Sequence, residues 1–224
     1  MKRIKLKDRV LPTYTRGEEI FNMVSHIVGA ALGLIFTILC VVFAAIHNNT
    51  YGIVSGLIYG ISMILLYTMS SIYHGLKPDT TSKKVFQIID HCTIFLLIAG
   101  SYTPFALCTF REYDPVFGWS LFLVIWALAI LGVVLNSIDL RRYRVFSMIC
   151  YIAMGWCIIF KASLLPELLG TTGVALLVAG GIAYTVGTIF YGLGVKLKYF
   201  HSIFHLLIVL GSILQFFCIL LYVM

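Results

Sequence analysis

The sequence predicts an all-α membrane protein in which seven helices form a transmembrane bundle, and three observations support this fold class. The chain of 224 residues is 61% hydrophobic and 11% charged, whereas charged residues make up about a quarter of a soluble domain. The apolar residues fall into seven long segments separated by short polar breaks. The basic residues gather in alternate breaks, as expected when successive segments cross a bilayer in opposite directions.

Each apolar segment is close to the roughly 20 residues that a helix needs to cross the hydrocarbon core of a bilayer. The breaks contain residues that end helices, such as the turn at 47–50 and the stretch at 111–115. We expect a basic cytoplasmic tail at residues 1–19 and a single seven-helix transmembrane domain at residues 20–224. The spans are expected at about 20–46, 51–75, 86–109, 116–137, 145–164, 171–194 and 199–223.

The first span is interpreted as a retained helix rather than a cleaved signal peptide. Its apolar stretch is longer than the core of a usual signal peptide, and Glu18, Glu19 and His26 interrupt the expected pattern.

The distribution of lysine and arginine predicts the orientation of the bundle. Fourteen of the 16 basic residues lie in the N-terminal tail and in the second, fourth and sixth breaks, and only Arg111 and Lys161 lie elsewhere. The positive-inside rule therefore places the N-terminus in the cytoplasm and the C-terminus outside, which requires an odd number of spans.

Cysteine spacing and net charge argue against other classes of protein. The six cysteines all fall in apolar stretches without a CxxC pair, so packed, reduced thiols are expected rather than disulfides or a thiolate metal site. The net charge of +7 is spread over several short breaks. It is therefore interpreted as a topology signal, and no nucleic-acid partner is expected.

Four ionisable residues are expected near the cytoplasmic face, within roughly two helical turns of the inner boundary. His74 ends the second span, Asp90 opens the third, and His201 and His205 open the seventh. Ionisable side chains inside apolar helices are costly and mark functional sites. His201 and His205 are four residues apart and therefore lie on one helix face, where they can bind one ion.

Three imidazoles with an open fourth position are typical of a catalytic zinc site. The sequence therefore predicts Zn²⁺ bound by His74, His201 and His205. The alternative for a histidine pair of this spacing is a hydrogen bond to a neighbouring helix or to a lipid headgroup. Asp90 is the candidate general base, because its carboxylate can accept a proton from water or hold the water in place. Ser70, one turn deeper than His74, is the second candidate catalytic residue, through a hydrogen bond to water or to a substrate carbonyl.

The remaining histidines have weaker assignments. His26 lies one to two turns into the first span and is open to three roles: a partner of the metal ligands, a substrate contact or a structural hydrogen bond. His91 points about 100° away from Asp90 on a helix and is not expected to be a fourth ligand. His47 lies on the opposite side of the membrane and is expected to be a loop residue.

A family resemblance is carried by four ordered motifs, at 70–74 (SSIYH), 90–91 (DH), 100–105 (GSYTPF) and 201–205 (HSIFH). Together they resemble the hemolysin III group of the progestin and adiponectin receptor family, and the stretches 17–22 (GEEIFN) and 25–26 (SH) are similar to its bacterial branch. The resemblance spans nearly the whole chain. It implies a seven-helix bundle with zinc held by His74, His201 and His205, and a residue matching Asp90 beside the water on the metal. Ser70 belongs to the first of these motifs.

The sequence is compatible with three functions. The family is similar to alkaline ceramidases, which implies an intramembrane zinc hydrolase acting on lipid amides or esters, with membrane lipids as partners. The group's name implies a cytolysin or pore, but the polar residues gather at one end of the spans instead of forming a stripe across the membrane. The third possibility is a lipid sensor in which zinc is structural. An integral protein of the bacterial plasma membrane is expected in every case, with its oligomeric state open.

Overall fold

The structure, a computed structural model, describes residues 6–224. Within this range it contains seven helices that are long and apolar enough to span a membrane, and no β-strand, which confirms the predicted fold class. A short 3₁₀ turn, Leu6–Asp8, precedes the first of them. The spans are α1 Arg16–Ile46, α2 Thr50–Gly75, α3 Thr81–Tyr113, α4 Pro115–Asp139, α5 Arg144–Lys161, α6 Leu165–Leu193 and α7 Phe200–Tyr222.

The start of α1 is fixed by a capping box at Thr15. The Thr15 hydroxyl accepts a hydrogen bond from the Glu18 N–H, and the Glu18 carboxylate accepts one from the Thr15 N–H. Because these two bonds satisfy backbone donors that a helix start leaves free, the helix begins at Arg16. The last four residues of the predicted tail are therefore helical.

The expected break between the fifth and sixth spans becomes a kink within α6. Pro166 lies in the first turn of this helix, where a missing N–H is tolerated. Gly170 has a φ of 65°, a left-handed conformation that glycine adopts without steric cost. A short helical turn therefore precedes the kink, and the long part of α6 follows it.

The most buried span is α3. In its most apolar window 72% of the residues lie inside the bundle, compared with 11% in α5. Helix α1 packs on α2 and on α7, α2 packs on α3, and α6 packs on α7. The phenyl rings of Phe36 in α1 and Phe216 in α7 stack with centroids 3.7 Å apart. At Gly60 in α2, a Cβ atom would overlap Thr37 of α1, so the close approach of these two helices requires glycine.

Large apolar side chains cover the outer surface of the bundle, including Leu34, Leu123, Ile130 and Ile149. A soluble protein rarely exposes such a continuous apolar surface, whereas lipid is its natural solvent. The six cysteines are free thiols.

Candidate metal centre

Three histidines from two helices converge at one end of the bundle. His74 lies in the last turn of α2, and His201 and His205 lie in the first two turns of α7. Each offers a ring nitrogen, and these three atoms lie within 4.8 Å of one another. The side chains are buried, with exposed fractions of 3%, 7% and 1%. The structure thus brings together the three residues predicted as metal ligands, and we refer to this end of the molecule as the histidine end.

The start of α7 is anchored to α1 by a carboxylate. Tyr199, which precedes α7, has a φ of 62°, and its N–H donates a hydrogen bond of 2.6 Å to Oε1 of Glu18. Glu18 is 4% exposed, and its other oxygen accepts bonds from Thr15. This contact sets where α7 begins and so the position of His201 relative to α1.

The ring nitrogens have a geometry that suits a metal ion. The Nε2 atoms of His201 and His205 lie 3.2 Å apart, close to the separation of about 3.3 Å between two ligands of a tetrahedral zinc ion with usual bond lengths. The Nε2 atom of His74 is buried and has no hydrogen-bond partner among the described residues. A buried polar atom is normally paired, so this nitrogen fits a metal ligand whose ion supplies the missing partner.

Glu19 and Lys83 contact the cluster from outside. Oε2 of Glu19 lies 2.7 Å from Nδ1 of His74, and Oε1 accepts a hydrogen bond of 2.8 Å from the Lys83 ammonium. The same ammonium donates to the carbonyl of Leu76 at 3.0 Å. This group was not predicted from the sequence, where Glu19 was assigned to the tail and Lys83 to the topology signal. The sequence feature that could have identified it is a carboxylate in the first turn of α1 at the depth of His74.

The candidate base Asp90 and the candidate Ser70 both line the cavity that adjoins the histidines. Oδ2 of Asp90 lies 3.5 Å from Nδ1 of His91, whose Nε2 lies 3.0 Å from the Tyr191 hydroxyl. Asp90 and His91 do not belong to the group of converging ligand atoms. His91 therefore lies in the cavity wall with its ring in contact with the Asp90 carboxylate, a contact that the expected separation of about 100° on the helix did not predict.

His26 packs directly on a candidate ligand. Its ring stacks on that of His205 with centroids 3.8 Å apart and meets Tyr67 edge-on at 4.9 Å. Both ring nitrogens are buried without a hydrogen-bond partner among residues 6–224. His26 therefore contacts a candidate ligand and also lines the cavity, which fits two of the three expected roles, a partner of the metal ligands and a substrate contact. His47, in contrast, is exposed in the α1–α2 turn and bonds to the carbonyl of Phe43.

The segment before α1 folds under the histidine end. The Tyr14 ring stacks on the His201 ring with centroids 4.8 Å apart and an interplanar angle of 19°. Leu11 is buried, and Pro12 lines the cavity. Burial raises the pKa of the Tyr14 phenol above its ordinary value, so the hydroxyl is neutral at physiological pH. Sequence reasoning did not identify Tyr14, because its position depends on tertiary contacts.

A long cavity runs from the histidine end into the bundle, with a volume of about 160 Å³. Along α7 its lining extends from His201 to Gln215, which corresponds to roughly 20 Å of helix. Most of its wall surface is apolar although many lining residues carry a polar group, and Phe105, Ile158 and Leu177 lie at depth. The length along α7 and the mostly apolar surface suit a ligand with a long hydrocarbon part.

Comparison with known proteins gives one consistent result. The model of the family described as "Haemolysin-III related" matches residues 14–216. The chain is 44% identical over 207 residues to "Hemolysin-3" of Bacillus cereus, covering 92% of both proteins. It is 38% identical over 209 residues to "Hemolysin-3 homolog" of Bacillus subtilis (strain 168), covering 93% of this chain and 96% of the relative. The human "Monocyte to macrophage differentiation factor" is 24% identical over 203 residues, which cover 89% of this chain and 79% of that protein.

Proposed function

The chain belongs to the haemolysin-III related family, and from this premise we propose that it is a zinc-dependent hydrolase of amide or ester bonds in membrane lipids. It is an integral protein of the plasma membrane with seven spanning helices. The observation that carries the proposal is the convergence of three buried histidines beside a long, mostly apolar cavity. A polar centre joined to an apolar cavity suits a substrate in which a polar linkage carries an acyl chain.

The roles follow from the chemistry of the side chains. His74, His201 and His205 would hold the zinc ion. When bound by these three imidazoles, zinc would supply a Lewis acid suited to activating water at neutral pH and polarising a carbonyl group. The Asp90 carboxylate accepts the proton of the attacking water and returns it to the leaving nitrogen or oxygen as the bond to the acyl carbon breaks. The Ser70 hydroxyl donates a hydrogen bond to the substrate carbonyl.

The cavity accounts for substrate binding in this proposal. Its wall along α7 is continuous with the histidine cluster, so a chain lying there presents its carbonyl end to the metal ligands. The fatty acid released by hydrolysis has the same apolar part as the substrate. The proposed products are therefore a fatty acid and the amine or alcohol that carried it.

The test is the variant Asp90→Asn, which keeps the volume of the side chain and removes its capacity to accept a proton. We expect this variant to bind zinc and fold like the wild type, while turnover falls about 10²–10⁴-fold, the usual contribution of a general base. Fatty acid release from a panel of ceramides and acyl lipids in liposomes is the measurement. Asp79→Asn makes the same chemical change in an exposed turn with a φ of 60°, which asparagine tolerates, and should leave turnover unchanged.

Ser70→Ala should reduce turnover less than Asp90→Asn, because it removes one hydrogen bond rather than the proton acceptor. Wild-type turnover in Asp90→Asn would rule out Asp90 as the base. If zinc-loaded protein releases no fatty acid from any lipid of the panel, the result favours the alternative of a lipid sensor in which zinc is structural.

Membrane lysis is a second candidate function, because two of the relatives carry the names "Hemolysin-3" and "Hemolysin-3 homolog". Its test is the release of a trapped dye from liposomes that contain the purified protein. Dye release that persists in the Asp90→Asn variant favours lysis, whereas fatty acid release without leakage favours hydrolysis.

A further inference from the structure

We infer that Glu19, held in place by Lys83, is a positioning residue for His74: it fixes the orientation and tautomer of the imidazole so that Nε2 faces the other two histidines. The inference rests on the proposed zinc site, and it adds two residues that touch neither the metal position nor the cavity. Glu19 and Lys83 are expected to affect the affinity and geometry of metal binding.

The hydrogen bond between Glu19 and His74 determines which ring nitrogen is free. A carboxylate only accepts hydrogen bonds, so at 2.7 Å from Oε2 of Glu19 the Nδ1 atom of His74 carries the proton. In a neutral imidazole the other nitrogen, Nε2, then presents its lone pair. That atom is the buried nitrogen without a partner among the described residues. The His74 side chain is 0% exposed, so water does not compete for the Nδ1 position.

Lys83 fixes the second oxygen of the carboxylate. Its ammonium bonds to Oε1 of Glu19 at 2.8 Å and to the Leu76 carbonyl at 3.0 Å, and it lies 5.0 Å from the centroid of the Tyr73 ring. The Lys83 side chain is 2% exposed. Lysine is seldom buried unless it is paired, and here the pairing joins the start of α1, the end of α2 and the start of α3. With both oxygens bound, the carboxylate cannot rotate away from His74.

The adjacent glutamate serves a different helix. Glu18 accepts bonds from Thr15 and from the Tyr199 N–H at the start of α7, whereas Glu19 bonds to the end of α2 and the start of α3. Two consecutive carboxylates in the first turn of α1 therefore fix the two elements that supply the ligands. Outer carboxylates of this kind orient histidine ligands in metalloproteins, and their loss typically weakens metal binding 10–100-fold.

The experiment compares two double variants of the full-length protein in detergent. Glu19→Met/Lys83→Met removes the charges of both side chains and the acceptor for His74 Nδ1. Glu19→Gln/Lys83→Met removes the same two charges but keeps an amide oxygen that can accept from Nδ1. Neither leaves an unpaired buried charge, which is the change that destabilises most. The zinc dissociation constant is measured by competition with a chromogenic chelator, and the visible absorption spectrum is recorded with Co²⁺ in place of zinc.

We expect the Met/Met variant to bind zinc about 10–100-fold more weakly than the wild type and to have an altered Co²⁺ spectrum. The Gln/Met variant should recover most of the zinc affinity and a Co²⁺ spectrum close to that of the wild type. A merely structural role for Glu19 would not produce this difference between the two variants. Thr103→Val is the stability control, because it removes a buried hydrogen bond from Trp126 in α4, away from the cavity lining. It should leave zinc affinity unchanged.

Equal zinc affinities for the two double variants would overturn the positioning role while leaving the zinc site in place. A wild-type protein that binds no zinc would instead refute the proposed function on which this inference rests. The two failures are distinguishable because the first is a comparison between variants and the second is a property of the wild type.

Discussion

At the histidine end, three imidazoles are buried against one another and against Tyr14 and His26, whereas at the opposite end His47 lies exposed in the turn between α1 and α2. The Nδ1 atom of His47 bonds to the carbonyl of Phe43 in the preceding turn, and the two rings are in tilted contact with centroids 4.4 Å apart. The same residue type thus has two environments within one bundle.

The difference shows which ionisable residues need a functional explanation. An exposed histidine at a helix end costs little, and local hydrogen bonding accounts for it. Burying three imidazoles and a lysine in one region is unfavourable unless they pair with other groups or with an ion. Glu19 and Lys83 pair with each other, and the unpaired Nε2 of His74 leaves room for an ion.

The first prediction concerns which end of the bundle faces the cytoplasm. It has the largest expected effect, because a terminus lies on either one side of the membrane or the other. Reporters fused to the N-terminus and after Met224 should lie on opposite sides of the membrane, with the N-terminal reporter and the histidine end in the cytoplasm, since fourteen of 16 basic residues segregate to that side. A reporter in the α1–α2 turn should match the C-terminal one. Reporters at the two termini that label on the same side would contradict a bundle of seven spans.

The next effect is the loss of bound metal. Wild-type protein should carry about one zinc per chain, and replacing His74, His201 or His205 by alanine should abolish most of it. Zinc should also raise the melting temperature of the wild type, because an ion that joins α2 and α7 stabilises only the assembled bundle. His47→Ala is the matched control and should retain both properties. Full zinc occupancy in the triple alanine variant would contradict the assignment; elemental analysis and thermal unfolding in detergent are the measurements.

The smallest expected effect comes from removing a helix cap at either end of the bundle. Thr15→Ala and Asn49→Ala each remove a side-chain acceptor at a helix start and should lower stability by about 0.5–2 kcal/mol. Thr15 also donates a hydrogen bond to Glu18, which anchors α7, so Thr15→Ala should additionally weaken zinc binding. Asn49→Ala should leave zinc affinity unchanged. Unfolding in denaturant and chelator competition measure the two quantities, and an identical zinc affinity in both variants would show that the cap at Thr15 does not reach the metal centre.

The sequence predicts the fold class and the three converging histidines, because bilayer thickness sets the length of a span and apolar helices carry few ionisable residues. It does not predict the roles of Glu19, Lys83 or Tyr14. Near a membrane boundary, a charged residue has the same appearance in the sequence whether it faces water, marks topology or bonds to a buried histidine. The kink at Gly170 was expected as a loop, because proline and glycine signals do not distinguish a break from a kinked helix. The identity of the metal and the roles of Asp90 and Ser70 stay predictions.

The placement of the ligands on α2 and α7 has a consequence for biosynthesis. His74 enters the membrane with the second helix, and at usual rates of translation His201 follows on the order of ten seconds later. During that interval one of the three candidate ligands, His74, and its partners Glu19 and Lys83 lie on helices that have already been made. The last helix then delivers two ligands together, because His201 and His205 are one turn apart. If the proposed zinc site is correct, an ion bound by all three histidines would be acquired only after the final span has inserted, and metal loading would then mark the completed assembly of the bundle.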